Sequence, residues 1–363
     1  MSEKLNVAIL GATGAVGQRF IELLENHPWF RVAEVIGSER SAGKRYIDAA
    51  NWVLDGQPPA SVANLMVKAL NDDLSSPLVF SALPKEAAVE VEVKLAEAGY
   101  IVCTNASTNR MVEDVPLLLP EVNHEHLSLI DVQRTNRGWT GGALVANSNC
   151  TTMPVVMSLK PLLQFGVEKI HMTSMQAISG AGYPGVASLD ILDNVVPYVG
   201  SDEEKMQTET LRMLGDVADG KIEWLSAKTS ASCNRVPVVD GHLVSISVEL
   251  RDNPGVEAVI EAWDNYVAPE DIRSLPSAPE YPVQYLRQID RPQIRRDRDA
   301  GAGMMTSIGR LRVCDVLDYK FTTLSHNTIR GAAGCSILNA ELMAVRGYIA
   351  DFKPAIAQAV AQP

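Results

Sequence analysis

Residues 5–17 have the sequence LNVAILGATGAVG. Five of the first six residues are apolar and lie near the start of the chain, which predicts a buried parallel strand. A GxxGxxG turn follows, and its glycines allow the backbone to approach a pyrophosphate closely. The next residues, 18–25, have a helical pattern. A glycine triplet alone is a weak signal, but strand, glycine turn and helix in this order predict a dinucleotide site. The candidate contacts in the turn are Gly11, Thr13, Gly14, Ala15 and Val16.

The end of the second predicted strand, residues 31–36, indicates which dinucleotide binds. An NAD-binding fold usually has an acid there to hold the ribose 2′-hydroxyl. This chain instead offers donors suited to a 2′-phosphate, namely Ser38, Arg40, Ser41 and Lys44. The pattern favours NADP over NAD. Glu39 keeps open the alternative that the two basic residues are only solvated loop charges.

Strands and helices go on alternating after this loop. Residues 78–84 and 100–107 each predict a strand followed by a turn, and residues 87–98 predict a helix between them. This alternation predicts a doubly wound parallel sheet with its ligand at the carboxyl ends of the strands. Ser81 and Leu83, at such an end, are candidate cofactor contacts, whereas Cys103 falls inside a strand and is expected in the core.

The composition excludes several classes of protein. The 363 residues are enough for two domains, and the net charge of −12 argues against a nucleic-acid or anionic-membrane partner. The five cysteines are scattered, without zinc-ligand spacing, so no metal site is expected and a reducing compartment is favoured. No apolar run has the length of a membrane span, and no secretory signal precedes the first strand. A cytoplasmic protein is therefore expected.

The candidate nucleophile is Cys150, in the sequence SNCTTMP at residues 148–154. Small polar residues precede it and a helix-like apolar run, 155–163, follows it. Unpaired backbone N–H groups and the positive end of a helix dipole at this place favour the thiolate over the thiol. A thiolate there is a nucleophile for an electrophilic carbon or a phosphate ester. The alternative is a buried structural cysteine, and the local sequence leaves the two about even.

The middle of the chain has a different pattern. Residues 169–178 alternate like a strand with one covered face and lead into a glycine loop, SGAGYPG, at 179–185. Further strands are predicted at 244–250 and 309–313. A charged helical stretch at 202–214 is taken as a solvated face by default. Near the end, residues 328–348 predict a closely packed helix rich in small residues.

His242 is the candidate partner of the cysteine. It ends the extended run RVPVVDGH at 235–242, after a turn at Asp240-Gly241. His171 lies within a strand pattern, where a core or interface histidine is expected, and His27, His124 and His126 lie in polar connecting sequence. A neutral imidazole could take the thiol proton. Contact between positions so far apart is not visible in a sequence.

Together these motifs resemble the aspartate-β-semialdehyde dehydrogenase family, in particular its archaeal and fungal type. The resemblance covers nearly the whole chain, and several separated motifs in the right order are more specific than any one. The motifs are GATGAVGQ (11–18), SERSAGK (38–44), STNRM (107–111), DVPLLLPEVN (114–123), NSNCTT (147–152), MQAISGAGYPG (175–185), DEEKMQTE (202–209), RVPVVDGH (235–242) and HNTIRGAAG (326–334).

The resemblance implies NADPH-dependent reductive dephosphorylation of L-aspartyl-4-phosphate to L-aspartate 4-semialdehyde, reversible with phosphate. This reaction leads toward lysine, threonine and methionine. The resemblance also implies a Rossmann-like NADP-binding domain at 1–149, completed by a C-terminal helix at 328–363. An α+β catalytic and dimerisation domain like that of glyceraldehyde-3-phosphate dehydrogenase would occupy 150–327. The family forms homodimers or homotetramers.

Residue roles follow from the same resemblance. Cys150 would form an acyl-thioester, His242 would act as acid and base, and Gln176 would orient the intermediate. Arg235 would hold the substrate α-carboxylate, for which a guanidinium fork is suited. Glu203 is chosen for the substrate amine from three adjacent acids whose register is open. Phosphate contacts would come from Arg110, Asn149 and Lys205, and further cofactor contacts from Ser179, Gly180 and Asn327.

Two alternatives remain. Malonyl-CoA reductase shares the fold, a cysteine and the SGAGYPG loop, but DEEK and NSNCTT favour the aspartyl enzyme, since a CoA thioester has neither an α-amine nor a transferred phosphate. N-acetyl-glutamyl-phosphate reductase fits the motifs less well. The other alternative is a catalytically silent homologue that binds nucleotide. Such a protein should lack the cysteine, the histidine or the arginine, and all three are present here.

Overall fold

A computed structural model describes residues 4–352 and 354 of the chain. Its first sheet has six parallel strands in the order β3-β2-β1-β4-β5-β6. This is the strand order of a dinucleotide-binding fold, so the predicted doubly wound sheet is confirmed. The strands are β1 (Leu5–Leu10), β2 (Phe30–Ile36), β3 (Val67–Lys68), β4 (Leu78–Ser81), β5 (Ile101–Thr104) and β6 (Ala143–Ala146).

Helices connect these strands. The first begins at Ala15, three residues earlier than the sequence pattern predicts, because the glycine turn leads directly into it. The strand order reverses at β1, which lies between β2 and β4, and this leaves a crevice at the carboxyl ends of β1 and β4. The helices of this part are α1 (Ala15–Leu24), α2 (Tyr46–Ala49), α3 (Ala60–Ala63), α4 (Lys85–Glu97), α5 (Pro120–Asn123) and α6 (Leu129–Arg137).

The second sheet is mixed, with six strands in the order β10-β7-β11-β14-β13-β12, and β8 pairs with β9 in a separate hairpin. Strands β10 and β7 run parallel, so their last residues, Arg235 and Gln176, lie side by side. The strands are β7 (Val167–Gln176), β8 (Asp216–Ala218), β9 (Lys221–Glu223), β10 (Lys228–Arg235), β11 (His242–Leu250), β12 (Val283–Leu286), β13 (Thr306–Val313) and β14 (Tyr319–Ser325).

One buried helix joins the two sheets. Every residue of α7 (Thr152–Leu159) is buried, and its side chains belong to a core shared by one face of the first sheet and the covered face of the second. Because α7 packs against both sheets, the start of this helix and the loop of Cys150 before it have a defined position. The other helices of the second part are α8 (Ser188–Ile191), α9 (Asp202–Met213), α10 (Val256–Asp264), α11 (Glu270–Arg273) and α12 (Ile294–Asp297). Short 3-10 helices span Ser107–Asn109, His124–Ser128, Lys160–Phe165 and Ile178–Ala181.

The C-terminal segment differs in part from the prediction of one helix over 328–348. It begins as a π-helix, Ile329–Ala333, and continues as α13 (Gly334–Val345). The side chains of α13 pack into the core on the other face of the first sheet, beside Val7 and Phe80. The predicted helix continues to 363, but residues 353 and 355–363 lie outside the described part of the chain. Within residues 4–352 and 354, no helix combines the length and the apolar character needed to span a membrane.

Candidate active site

Cys150 and His242 meet between the two sheets. Cys150 precedes α7 and His242 is the first residue of β11, and Sγ lies 3.2 Å from Nε2. The Nδ1 atom of His242 accepts the backbone N–H of Ala177 at 3.1 Å. A neutral ring that accepts at Nδ1 carries its hydrogen on Nε2, so His242 donates toward the sulfur in this state. Taking the thiol proton at Nε2 requires the other tautomer.

Burial dominates the electrostatics of this pair. It raises the pKa of the Cys150 thiol to about 11, and the charge of Asp202 acts in the same direction, while Arg110 and Arg235 oppose it. Burial also lowers the pKa of His242 to about 3, with a further contribution from Arg235. In the free protein, the loss of solvation therefore acts against the local donors that are expected to favour the thiolate.

A cavity of about 680 Å³ opens above the cysteine. It joins the glycine turn of the first sheet to the loops of the second, as expected for a nucleotide bound next to a reacting group. Many of the predicted site residues line it: Thr13, Gly14, Ala15, Val16, Leu83, Arg110, Asn149, Cys150, Ser179, Gly180, Lys205 and Asn327.

The three glycines of the turn have different structural roles. Gly11 has φ +73°, and a Cβ there would lie 2.7 Å from the carbonyl oxygen of Ala82. A Cβ on Gly17 would lie 2.3 Å from the oxygen of Gly11, so these two glycines allow close packing behind the cavity. At Gly14 an added Cβ meets only the Gly11 oxygen, at 3.4 Å, and this residue faces the cavity. The turn thus leaves an open cradle before the N–H groups that begin α1.

The residues predicted to bind the 2′-phosphate lie beyond this cavity, at the end of β2. Ser38 and Arg40 are exposed and Ser41 is half-buried. The loop is closed by the backbone N–H of Ser41, which donates to the oxygen of Ser38 at 2.8 Å. Among the described residues, Arg40 makes no ion pair, so its guanidinium donors are available.

Besides His242, which is fully buried, three predicted residues lie behind the cavity wall. Ser81 is buried at the end of β4. Gln176 is buried at the end of β7, where its Nε2 donates to Ser174 Oγ at 3.2 Å, and its Oε1 has no hydrogen-bond partner among the described residues. Arg235, 8% exposed, donates from Nη1 to the oxygen of Ala177 at 2.7 Å. A Cβ on Gly180 would lie 2.8 Å from that nitrogen, so the glycine lets the arginine come close to the cavity.

Helix α9 places one acidic and one basic side chain at the cavity. Asp202 and Lys205 line the cavity and pair at 2.9 Å. Glu203 points elsewhere: its Oε1 accepts the backbone N–H of Cys233 at 2.9 Å. Asp202 instead shares a helix face with Lys205, because the two are three residues apart, and of the acids at 202–204 it is the one that lines the cavity.

Sequence reasoning missed several residues of the site. An added Cβ on Gly331 would lie 2.6 Å from Cys150 Cβ, so the π-helix packs directly on the nucleophile. The run of small residues at 331–334 was the available signal. Asn51 also lines the cavity and donates from Nδ2 to the hydroxyl of Tyr183 at 2.9 Å, joining the two parts of the chain across its mouth. Nothing in the sequence brings these two residues together.

Comparison with known proteins identifies the family. The NAD-binding domain of semialdehyde dehydrogenases matches residues 6–130, and their dimerisation domain matches residues 159–330. An aspartate-semialdehyde dehydrogenase of Archaeoglobus fulgidus is 48% identical over 94% of this chain and 98% of that protein. The chain belongs to the aspartate-semialdehyde dehydrogenase family.

Solved structures of this family have the same fold. Aspartate semialdehyde dehydrogenase with NADP from Candida albicans superposes with a TM-score of 0.88 at 39% identity, over 96% of this chain and 100% of that one. Aspartate semialdehyde dehydrogenase II complexed with ASA from Vibrio cholerae superposes with a TM-score of 0.76 at 26% identity, over the same shares of both chains. The predicted fold, with a Rossmann-like domain and an α+β domain, is confirmed.

Proposed function

We propose that this protein is an NADP-dependent aspartate-semialdehyde dehydrogenase, which interconverts L-aspartyl-4-phosphate and L-aspartate 4-semialdehyde plus phosphate in aspartate-family amino-acid biosynthesis. The observation that carries the proposal is the Cys150–His242 pair, 3.2 Å apart, whose cysteine lines the same cavity as the dinucleotide turn. The relatives named above carry the same activity in their names.

Covalent catalysis at Cys150 divides the reaction into two steps. Sγ attacks the acyl carbon, phosphate leaves, and an acyl-thioester remains on the cysteine. His242 can assist from Nε2 in two ways: its hydrogen stabilises the thiolate in the tautomer seen here, and the other tautomer accepts the thiol proton. Reduction of the thioester and loss of the thiolate then release the aldehyde.

Charged side chains around the sulfur match the substrate. Arg235 lies behind Gly180, next to His242, and we assign it to the α-carboxylate, which it can bind through two parallel hydrogen bonds. Arg110, Lys205 and Asn149 line the cavity and are assigned to the phosphoryl group. Asp202 is assigned to the α-amine. Gln176 keeps its predicted orienting role, for which its unpartnered Oε1 is suited.

NADP fits the residues that face the crevice. The open cradle at Gly14 and the first N–H groups of α1 suit a pyrophosphate, and Ser38, Arg40 and Ser41 provide donors for the 2′-phosphate. Ser179, Gly180 and Asn327 line the end of the cavity nearest Cys150, where Asn327 Nδ2 donates to Ser179 Oγ at 2.8 Å. When bound, the nicotinamide supplies the hydride that reduces the thioester.

We assign cofactor binding to residues 1–149 with the segment from 328 onward, and catalysis and dimerisation to residues 150–327. A homodimer or homotetramer is supported by exposed apolar side chains close together in the chain, Leu189, Leu192, Val195 and Tyr198, of which the first is 92% exposed. His171 lies on the open face of the second sheet, where a second subunit could also cover it. All five cysteines are free, which supports a cytoplasmic location.

Steady-state assays of NADP reduction test this function. Aspartate semialdehyde is offered with and without phosphate, with NAD in place of NADP and malonate semialdehyde plus CoA as comparators. We expect phosphate-dependent turnover with aspartate semialdehyde and NADP. Turnover only with malonate semialdehyde and CoA would assign a malonyl-CoA reductase, and cofactor binding without any turnover would indicate a silent homologue.

A further inference from the structure

Glu209 lies on the same side of helix α9 as Asp202 and Lys205, the two residues of this helix that line the cavity. Glu209 is four residues after Lys205 and seven after Asp202, so all three project on the same side of the helix. Unlike the other two, Glu209 is only 1% exposed. A carboxylate buried to this extent needs partners for both of its oxygens.

The two oxygens of Glu209 bind two different parts of the site. Oε1 accepts from Arg110 Nη1 at 3.1 Å, and Oε2 accepts the backbone N–H of Asn149 at 2.6 Å. The first partner is the cavity arginine assigned to the phosphoryl group. The second belongs to the Ser148–Asn149 peptide, one residue before Cys150. One carboxylate therefore connects the anion-binding side chain to the loop of the nucleophile.

Each partner also has contacts of its own. The Arg110 guanidinium has one further hydrogen bond, from Nη2 to the oxygen of Asn105 at 2.8 Å, and its buried Nε has no partner among the described residues. The backbone oxygen of Asn149 accepts the N–H groups of Thr152 and Met153. The Asn149 side chain is occupied within its own loop, where Oδ1 accepts the N–H of Thr151 at 2.8 Å. Arg212, one turn along α9, donates to the backbone oxygens of residues 110, 112 and 115, so α9 also holds the loop that follows Arg110.

We infer that Glu209 is a positioning residue for acyl transfer, which fixes the Arg110 guanidinium and the Ser148–Asn149 peptide, next to Cys150, in one geometry. The inference rests on the proposed function, because it takes Arg110 as a phosphate ligand and Cys150 as the nucleophile. It assigns a task to the last residue of the DEEKMQTE motif, for which the resemblance to the family implies no role.

Glu209→Gln tests the inference, because an amide has one acceptor and one donor where the carboxylate has two acceptors. With its oxygen toward Asn149, its NH2 group faces Arg110 and displaces the guanidinium. With its oxygen toward Arg110, its NH2 group meets the Asn149 N–H and displaces the loop of Cys150. In both cases we expect kcat/KM for phosphate to fall by about tenfold or more. The Kd for NADP should stay close to that of the wild type, since Glu209 does not line the cavity.

The loss of the Glu209 charge, considered without its effect on orientation, predicts better phosphate binding rather than poorer phosphate use. Removing a negative charge beside Arg110 should strengthen phosphate binding, so weaker phosphate use indicates lost orientation. Tighter phosphate binding with unchanged kcat, or kcat/KM equal to that of the wild type, would overturn the inference. A parallel loss of NADP affinity would also overturn it, because it would indicate general structural damage.

Glu341→Gln is the matched control. Glu341 is also fully buried and also joins two partners, His27 at 2.6 Å and Ser277, but none of these three lines the cavity. We expect Glu341→Gln to lower the melting temperature without changing kcat/KM for phosphate.

If Glu209→Gln does not fold, Glu209→Asp is the second test, because it keeps the charge but is too short to reach both Arg110 and Asn149. Wild-type kinetics in Glu209→Asp would overturn the inference.

A second assay separates this inference from the proposed function. The rate at which iodoacetamide alkylates Cys150, and its protection by inorganic phosphate, require the anion site and the thiol but no turnover. If the wild type fails to oxidise aspartate semialdehyde, the proposed function fails and the alkylation assay still applies. Glu209→Gln should then alter the alkylation rate or raise the phosphate concentration needed for protection, by about tenfold. Unchanged values for both would overturn the role of Glu209.

Discussion

Gly331→Ala should impair the enzyme through a single methyl group. The added Cβ would lie 2.6 Å from Cys150 Cβ and 3.1 Å from Cys150 Cα. Carbon atoms in contact prefer about 3.5 to 4.0 Å, so one of the two residues must move by about 1 Å. Gly331 does not have a positive φ, so alanine fits its backbone conformation and the effect is steric.

The nucleophile is the residue whose movement matters for catalysis. Its sulfur is 3.2 Å from His242 Nε2, and the loop around it is held by the hydrogen bonds of Asn149. A misplacement of about 1 Å at a reacting centre can cost about 100-fold in rate. We therefore expect kcat to fall about 100-fold, which corresponds to about 2.7 kcal/mol in the activation barrier.

The assay is phosphate-dependent oxidation of aspartate semialdehyde with NADP, together with thermal unfolding of the same samples. Gly141→Ala is the control, because an added Cβ there has no atom within 4 Å and the residue has no positive φ. The control should match the wild type in kcat. A Gly331→Ala enzyme within about threefold of wild-type kcat would refute the argument that this contact fixes the nucleophile.

Three further predictions concern the same site. Cys150→Ser should abolish reduction of the acyl phosphate while NADP binding persists in a fluorescence titration; surviving activity would exclude the covalent mechanism. Arg235→Lys should raise KM for aspartate semialdehyde and lower kcat, since a point charge cannot replace a bidentate fork, and unchanged kinetics would remove Arg235 from the site. Because burial raises the pKa of Cys150 to about 11 and lowers that of His242 to about 3, the rate of Cys150 alkylation should keep rising from pH 6 to pH 9. A plateau near neutral pH would indicate a thiolate already formed in the free enzyme.

The first sheet was predictable because its signals are local. The apolar strand, glycine turn and helix at the start follow one another in the chain, and close packing at Gly11 and Gly17 explains why glycine is needed there. The pairing of Cys150 with His242 spans 92 positions, so only the resemblance to a family could suggest it. The same limit applies to the contact between Asn51 and Tyr183.

Two expectations about the site differ from the geometry for different physical reasons. The thiolate expectation considered the backbone donors near Cys150, which are local, and could not include burial, which depends on the whole fold. Helix geometry alone already favours Asp202 over Glu203. Once Lys205 was placed in the site, helix geometry puts residue 202 on its face and residue 203 well away from it. By the same helix geometry, residue 209 lies on the face of α9 that carries residues 202 and 205.

The central claim is an acyl-thioester on Cys150, and peptide mass spectrometry after acid quench tests it most directly. The protein is incubated with aspartate semialdehyde and NADP in the absence of phosphate, so that the intermediate forms and cannot be released by phosphate. We predict an aspartyl adduct on the peptide that contains Cys150, which hydroxylamine removes. No adduct, or an adduct on one of the other four cysteines, at positions 103, 233, 314 and 335, would contradict the mechanism.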